Sequence, residues 1–333
     1  MAAKEPPIID FARTHPPTDK LIRELRQACE EFGFFQIINH GIPADLQASI
    51  LTQSKALFDL PLEVKEAYNK GKFCSSLHAH IDSNPFNRGY ERLRSQNFEK
   101  RTAGDLKEGF YLGRNRSVDD PDVIARKFAQ GPNTYPAELG AQFPAVVERY
   151  HAALTGLAEG ILFMLARTLD LEEGVFQAFC ERPVAVLGLL HYLPQEPGAS
   201  ELERGIGAHT DFGAVTILLQ DTTGGLQVWN NLSSTWVDVT PITGAYVVNL
   251  GNMMMRWTND RYLSNLHRVI NKSGKERLSV PFFFSGNPGP KYPPITVGDW
   301  MAGRYADTYG KGQGGIGELR RGPGVNSQIS GEA

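Results

Sequence analysis

Turn residues divide the second half of the chain into short β-rich runs, and this pattern limits the possible fold more than any other feature. From about Ala185 the runs are Val186–Leu193, Ala214–Gln220, Leu226–Trp229, Trp236–Val239, Tyr246–Leu250, His267–Ile270 and Leu278–Phe284. Asp221-Thr-Thr-Gly-Gly225 and Asn271-Lys-Ser-Gly274 punctuate them as turns. Short strands at this spacing predict an antiparallel sandwich or barrel.

The first half has a different period. Pro7-Ile-Ile-Asp-Phe11 predicts a short strand, and Thr18 caps a helix with Leu21, Ile22, Leu25, Ala28 and Cys29 on one face. Gly33 ends that helix, and Phe34–Asn39 predicts a buried strand. A second helix after Gly41-Ile-Pro43 presents Leu46, Ile50, Leu57 and Phe58, and Pro61 opens another turn. The stretch from Asn69 to about Pro136 is polar and broken by Gly, Pro, Asn and Asp, which predicts loop with short elements. A long amphipathic helix is expected from about Ala137 to Asp170, its regular part beginning only near Pro144. Helices followed by strands predict an α+β chain in which helices brace one side of a double-sheet core.

Composition narrows the function. With 333 residues and 41% hydrophobic content, the chain can bury a large core. Its 34 basic and 37 acidic residues leave a net charge of −3, which argues against disorder and against a nucleic-acid partner. Cys29, Cys74 and Cys180 make neither a disulfide framework nor a C-x-x-C zinc pair. The start, Met1-Ala-Ala-Lys-Glu-Pro-Pro7, lacks a signal-peptide core, and the apolar stretch Leu154–Ala166 contains Glu159 and is too short to span a bilayer. A cytoplasmic, reduced protein is expected. With so little sulfur, any metal site must be built from histidine and carboxylate.

His209-Thr210-Asp211 is the place to build one. On extended backbone, residues two apart point the same way, so His209 and Asp211 converge. His267, opening its own β-run, is the natural third ligand. Two His and one carboxylate leave open positions on Fe(II), unlike a closed zinc site. Spacing alone makes this a weak signal, since isolated His and Asp usually serve structure. Arg277-Leu278-Ser279 strengthens it. Arg277 and Ser279 share a face and offer a guanidinium fork and a hydroxyl to a carboxylate beside the metal. An Arg on so apolar a strand is costly to bury without an anion, and a salt bridge to a protein acid would serve equally well.

His209-Thr-Asp211, His267 and Arg277-Leu-Ser279 resemble the H-x-D…H…R-x-S signature of the isopenicillin N synthase-like Fe(II)/2-oxoglutarate-dependent dioxygenases. The resemblance runs from Pro7-Ile-Ile-Asp-Phe11 to about Asn287. It takes in Gly33-Phe-Phe-Gln-Ile-Ile-Asn-His-Gly41, Phe58-Asp-Leu-Pro-Leu-Glu-Val-Lys65, Asn87-Arg-Gly-Tyr90, Leu190-His-Tyr192, Gly224-Gly-Leu-Gln-Val228 and Asn249-Leu-Gly251. Gly251-Asn252 departs from the Gly-Asp of many members, at a position that is not a ligand.

This resemblance implies a double-stranded β-helix (jelly-roll) core over 176–290, an N-terminal helical region over 1–175 packed on it, and a C-terminal segment over 291–333 whose Gly-rich end is expected to be mobile. It also implies that His209, Asp211 and His267 bind Fe(II), while Arg277, Ser279 and Tyr192 hold the far carboxylate of 2-oxoglutarate. With O2, such a centre oxidises a C–H bond of a small molecule, in secondary metabolism by resemblance, and releases succinate and CO2. Two other readings stay open: an iron oxidase that uses no 2-oxoglutarate, and a non-catalytic binding module on the same scaffold. A monomer is expected.

Alternation from Tyr192 places Leu190 and Gly188 inward, with Gly188 leaving room, and alternation from Ser279 places Phe283 inward as an apolar wall. Phe212 stands next to Asp211. Arg88, Tyr90 and Phe110 fall where relatives cover the pocket, with Arg88 and Tyr90 as partners for a substrate carboxylate or as residues that merely pack the covering loop. His15, His40, His78, His80, His151 and His191 are expected to have structural or surface roles. Gly310-x-Gly312-x-x-Gly315 follows no strand and is discounted as a dinucleotide fingerprint.

Overall fold

Period-2 and period-3.6 patterns along the chain sort into two packed layers. The computed structural model describes residues 5–12, 16–70, 86–99, 104–196, 198–199 and 203–286. The readings made above at His15, Cys74, His78, His80, the 310–315 motif and the C-terminal segment fall outside them.

The helices are α1 (Asp19–Glu31), α2 (Ala44–Phe58), α3 (Leu62–Ala67), α4 (Pro121–Ile124), α5 (Gln142–Thr168), α6 (Gln177–Cys180) and α7 (Asn252–Trp257). Thr18 caps α1 as its sequence suggests, its hydroxyl accepting from the Leu21 N–H at 3.2 Å. A 3-10 turn at Ala137–Leu139 and Gly140, with φ of 61°, separate the expected helix start from the observed one. Pro144 then sits in the first turn of α5, where no N–H partner is lost.

The strands are β1 (Ile8–Asp10), β2 (Phe34–Ile38), β3 (Gly89–Glu91), β4 (Lys107–Gly113), β5 (Val184–Tyr192), β6 (Ile206–His209), β7 (Val215–Gln220), β8 (Leu226–Asn230), β9 (Thr235–Asp238), β10 (Tyr246–Leu250), β11 (His267–Val269) and β12 (Arg277–Ser285). They form an eight-stranded sheet in the order β1-β2-β10-β7-β12-β5-β4-β3 and a four-stranded sheet in the order β6-β11-β8-β9. All pairs are antiparallel except β1 with β2.

One face of the large sheet, with Leu187, Leu189, Phe282 and Phe284, packs on Leu25, Ile50, Leu57, Leu154 and Ile161 of the helices. The opposite face, with Val186, Leu190 and Tyr192, packs on Ile206, Leu226, Val228 and Val269 of the small sheet. The double-sheet core braced by helices on one side is therefore the observed architecture. The space between the two sheets forms a lumen.

Three strands escape the sequence pattern. β6 is only four residues long, and β3 and β4 lie in the stretch read as mostly loop. Every residue of β4 is buried, including Lys107 and Glu108, because each charge finds a partner inside the fold. A sequence pattern counts such residues as surface. Gly33 is a second constraint that pattern alone understates. Its φ is 63°, and a Cβ there would lie 2.0 Å from the Leu263 carbonyl oxygen, so only glycine allows β2 to start where it does.

Candidate metal centre and its surroundings

β6 ends and β11 begins on a histidine, and the antiparallel register sets His209 directly across from His267. Asp211 follows two residues after the end of β6. Ligand atoms of these three side chains lie within 4.8 Å of one another, and no other such cluster occurs among the described residues. The His209 Nε2 is 3.8 Å and the His267 Nε2 3.7 Å from Asp211 Oδ1.

Neighbouring groups fix the orientation of each side chain. His209 Nδ1–H donates to the Gly207 carbonyl at 2.8 Å, and His267 Nδ1–H to the Asn265 carbonyl at 3.2 Å. A carbonyl only accepts, so both rings carry the proton on Nδ1 and turn a bare Nε2 toward the common point. Asp211 Oδ2 accepts from the Thr216 hydroxyl at 2.5 Å and the Asn249 amide at 2.7 Å, which leaves Oδ1 for a metal. Burial alone would raise the Asp211 carboxyl, but the facing imidazoles of His267 and His209 and these two hydrogen bonds hold it below the usual carboxylate range. Burial, then the charge of His267, pushes His209 well below the ordinary imidazole range. An ionised Asp211 and an unprotonated His209 Nε2 are what a divalent metal requires of such ligands.

The large sheet carries a second group of buried polar atoms. Arg277 is 0% exposed and pairs across the sheet with Tyr192, its guanidinium carbon 4.7 Å from that ring's centre. Its Nη2 donates to Gln220 Oε1 at 3.1 Å, whereas Nε, Nη1 and the Ser279 hydroxyl are buried without a partner. The protein acid that would have given Arg277 a purely structural role is absent among the described residues. A buried cation with a neutral amide and a ring face, but no anion, beside it is costly unless a ligand carboxylate completes it. Arg277 and Ser279 therefore offer unpartnered buried donors that suit a carboxylate.

Known proteins point to the same chemistry. Residues 6–138 match the family model of the non-haem dioxygenase in morphine synthesis N-terminal region, and residues 186–286 match that of the 2OG-Fe(II) oxygenase superfamily. The chain is 47% identical over 336 residues to the 2-oxoglutarate-Fe(II) type oxidoreductase hxnY of Emericella nidulans, covering 94% of this chain and 93% of that protein. It is 40% identical over 274 residues to the 2-oxoglutarate-dependent dioxygenase citB of Monascus ruber, covering 80% of this chain and 79% of that one. The crystal structure of a full-length Neurospora crassa protein in complex with alpha-KG and thymine matches with a TM-score of 0.75 at 25% identity, over 90% of this chain and 96% of that chain.

The chain belongs to the 2OG-Fe(II) oxygenase superfamily. It is a 2-oxoglutarate-dependent non-haem iron dioxygenase, using Fe(II), 2-oxoglutarate and O2 to oxidise a small molecule, and its two facing sheets are the superfamily's jelly-roll.

The expected pocket residues of this oxygenase separate by strand face. Phe283 lies on the lumen face of β12, paired with Val186, and packs in the lumen core. Phe212 lies next to Phe98, their ring centres 6.4 Å apart. Gly188 also faces the lumen, but the space it leaves is taken: a Cβ there would meet Pro281 at 3.3 Å and Tyr111 at 3.5 Å. Tyr90 and Phe110 are directly paired and point away from the lumen, into the layer between sheet and helices. Tyr90 donates to Glu108 at 2.6 Å, and Phe110 meets Phe143 of α5 edge-on. Arg88 is buried and donates to the Phe86 and Ala129 carbonyls at 2.7 and 2.8 Å, tying two loops together. Recognition of β4 as a strand would have sorted these faces, and its polar sequence hid it.

Two contributors were not expected. Phe98 stacks on His209 with centroids 4.3 Å apart and planes 13° from parallel, and so walls one side of the three-residue cluster. Asn249 and Thr216 orient Asp211 from β10 and β7. Of the remaining histidines, His191 turns away from the lumen to Glu108 at 2.9 Å, and His40 bonds the Gly244 carbonyl at 2.7 Å.

Proposed function

We propose that His209, Asp211 and His267 hold the Fe(II), and that Arg277, Ser279 and Tyr192 hold the far carboxylate of 2-oxoglutarate. The observation that carries this assignment is the three-ligand cluster together with a buried Arg277–Ser279 pair whose donors lack partners. Fe(II), 2-oxoglutarate and O2 together supply the oxidation of a substrate C–H bond, with release of succinate and CO2. The protein's own groups place and shield that chemistry. The Nδ1 hydrogen bonds keep both imidazoles facing the metal, Thr216 and Asn249 keep Asp211 ionised and aimed, and Arg277 sets the cosubstrate's direction. Phe98, Phe212 and Phe283 supply an apolar wall that keeps water from the reacting centre.

The substrate is read as a small molecule of secondary metabolism, handled by a cytoplasmic monomer. Relatives named as 2-oxoglutarate-dependent dioxygenases support the small-molecule reading, and the net charge of −3 supports the exclusion of nucleic acid. No helix among the described residues is long and apolar enough to cross a membrane. The deciding experiment measures bound iron and succinate release together. His209→Ala is expected to lose Fe(II) and all succinate formation, whereas Arg277→Met keeps Fe(II) and loses affinity for 2-oxoglutarate. Unchanged iron content in His209→Ala would refute the ligand assignment.

A further inference from the structure

The lumen holds a second cation that neither the metal cluster nor the 2-oxoglutarate pair uses. Lys107 is the direct cross-strand partner of Tyr192, which in turn pairs with Arg277. The three side chains therefore lie in one row on the lumen face. The Lys107 and Glu91 side chains are each 1% exposed, and their Nζ–Oε2 separation is 3.1 Å. Tyr111 donates to the same carboxylate oxygen at 3.1 Å, while Lys70 holds Oε1 at 2.5 Å and lies 4.7 Å over the Tyr111 ring.

This arrangement clamps Glu91 from three sides, and through it fixes the Lys107 ammonium. An ammonium carries three donors, and Lys107 places only one of them among the described residues. Two N–H groups thus remain in a site from which water is largely excluded, and leaving them unmatched is costly. Asp105, on the same strand approach, is 1% exposed, accepts from the Gly207 N–H at 2.8 Å through Oδ1, and leaves Oδ2 buried without a partner. Around these polar groups the lumen is apolar and aromatic, lined by Leu190, Phe98, Phe212 and Phe283.

We propose that Lys107, positioned by Glu91, Tyr111 and Lys70, binds a carboxylate on the primary substrate, so that this oxygenase acts on small carboxylic acids with an apolar body. The proposal rests on the iron and 2-oxoglutarate assignment for its location, and on the Lys107–Glu91 clamp for its chemistry. Arg277 takes the cosubstrate's far carboxylate, and Lys107, two strands away, takes the substrate's.

The test is calorimetric titration of the full chain, with and without Fe(II) and 2-oxoglutarate under anaerobic conditions. The probes are benzoate, phenylacetate, cinnamate and cyclohexanecarboxylate, each beside its primary amide. At least one acid is expected to bind about tenfold more tightly than its amide, as a charge-assisted hydrogen bond implies. That preference should vanish in Lys107→Met and persist in Lys107→Arg. The double variant Lys107→Met with Glu91→Gln avoids a stranded buried carboxylate, and should show the same loss should the single variant fold poorly. Acids and amides that bind the wild type alike would overturn the proposal, as would a preference that survives Lys107→Met. A fall in 2-oxoglutarate affinity with the acid preference intact would assign Lys107 to the cosubstrate and also overturn it. A chain that takes up neither Fe(II) nor 2-oxoglutarate would count against the oxygenase assignment instead, while the metal-free titration still reads the acid preference.

Discussion

In the proposed metal site, Asp211 depends on groups that would never touch the metal. Its two oxygens are made inequivalent by Thr216 and Asn249, which occupy Oδ2 and free Oδ1 to face both Nε2 atoms. Removing one such partner typically weakens metal binding by about 10–100-fold. Asn249→Ala is therefore expected to lower Fe(II) affinity within that range in an anaerobic titration, with Thr216→Val giving a smaller loss. Wild-type affinity in Asn249→Ala would mean that the carboxylate needs no outside orientation. The cluster itself was legible in sequence because alternation aligns His209 with Asp211. Its supports were not, because Thr216 and Asn249 reach Asp211 only through the pairing of β7 and β10.

Helix α5 meets the sheet through a histidine to which the sequence assigns no special role. His151 is buried against Phe282, with ring centres 5.1 Å apart, and its Nε2 lies 3.3 Å from the Ala185 carbonyl. Burial pushes its pKa down from 6.5 to about 4, with the charges of Arg88 and Arg114 adding to the effect and the carbonyl opposing it. A histidine depressed in the folded state stays neutral where the unfolded chain takes up a proton. Its contribution to stability is therefore complete above the unfolded value of 6.5 and is lost as pH falls toward about 4. The full loss is on the order of 3 kcal/mol. Urea unfolding at about pH 7.5 and about pH 4.5 should show a distinctly flatter acid dependence in His151→Gln than in the wild type. Parallel slopes in the two proteins would remove His151 as the cause. The neighbouring strand β4 makes the complementary point: its charges are buried in pairs, so the sequence looks like loop where the fold has a fully enclosed strand.

On the proposed assignment the two sheets contribute different halves of one site, and their docking is what the ligands should stabilise. The His209–Asp211–His267 cluster comes from the small sheet and the segment after β6, and Arg277, Ser279 and Tyr192 come from the large sheet. Saturation with Fe(II) and 2-oxoglutarate at about 100 times their dissociation constants should add about 3 kcal/mol of stability for each ligand. For a chain of this size that corresponds to a rise in Tm of a few degrees. Arg277→Met should keep the rise from Fe(II) and lose that from 2-oxoglutarate, and chelation should abolish both in the wild type. A Tm indifferent to both ligands would argue that the sheets do not meet at the site. Sequence alone settled the α+β class, most of the strands, the convergence of His209 with Asp211 and the shared face of Arg277 and Ser279, because each follows from residue type and a local period of two or 3.6. The tertiary structure alone decided which way Tyr90, Phe110 and Arg88 face, that Arg277 meets no protein acid among the described residues, and that Lys107 stands in the lumen. Those outcomes depend on which strands lie side by side, and charged residues buried in pairs leave no mark in the hydrophobic pattern.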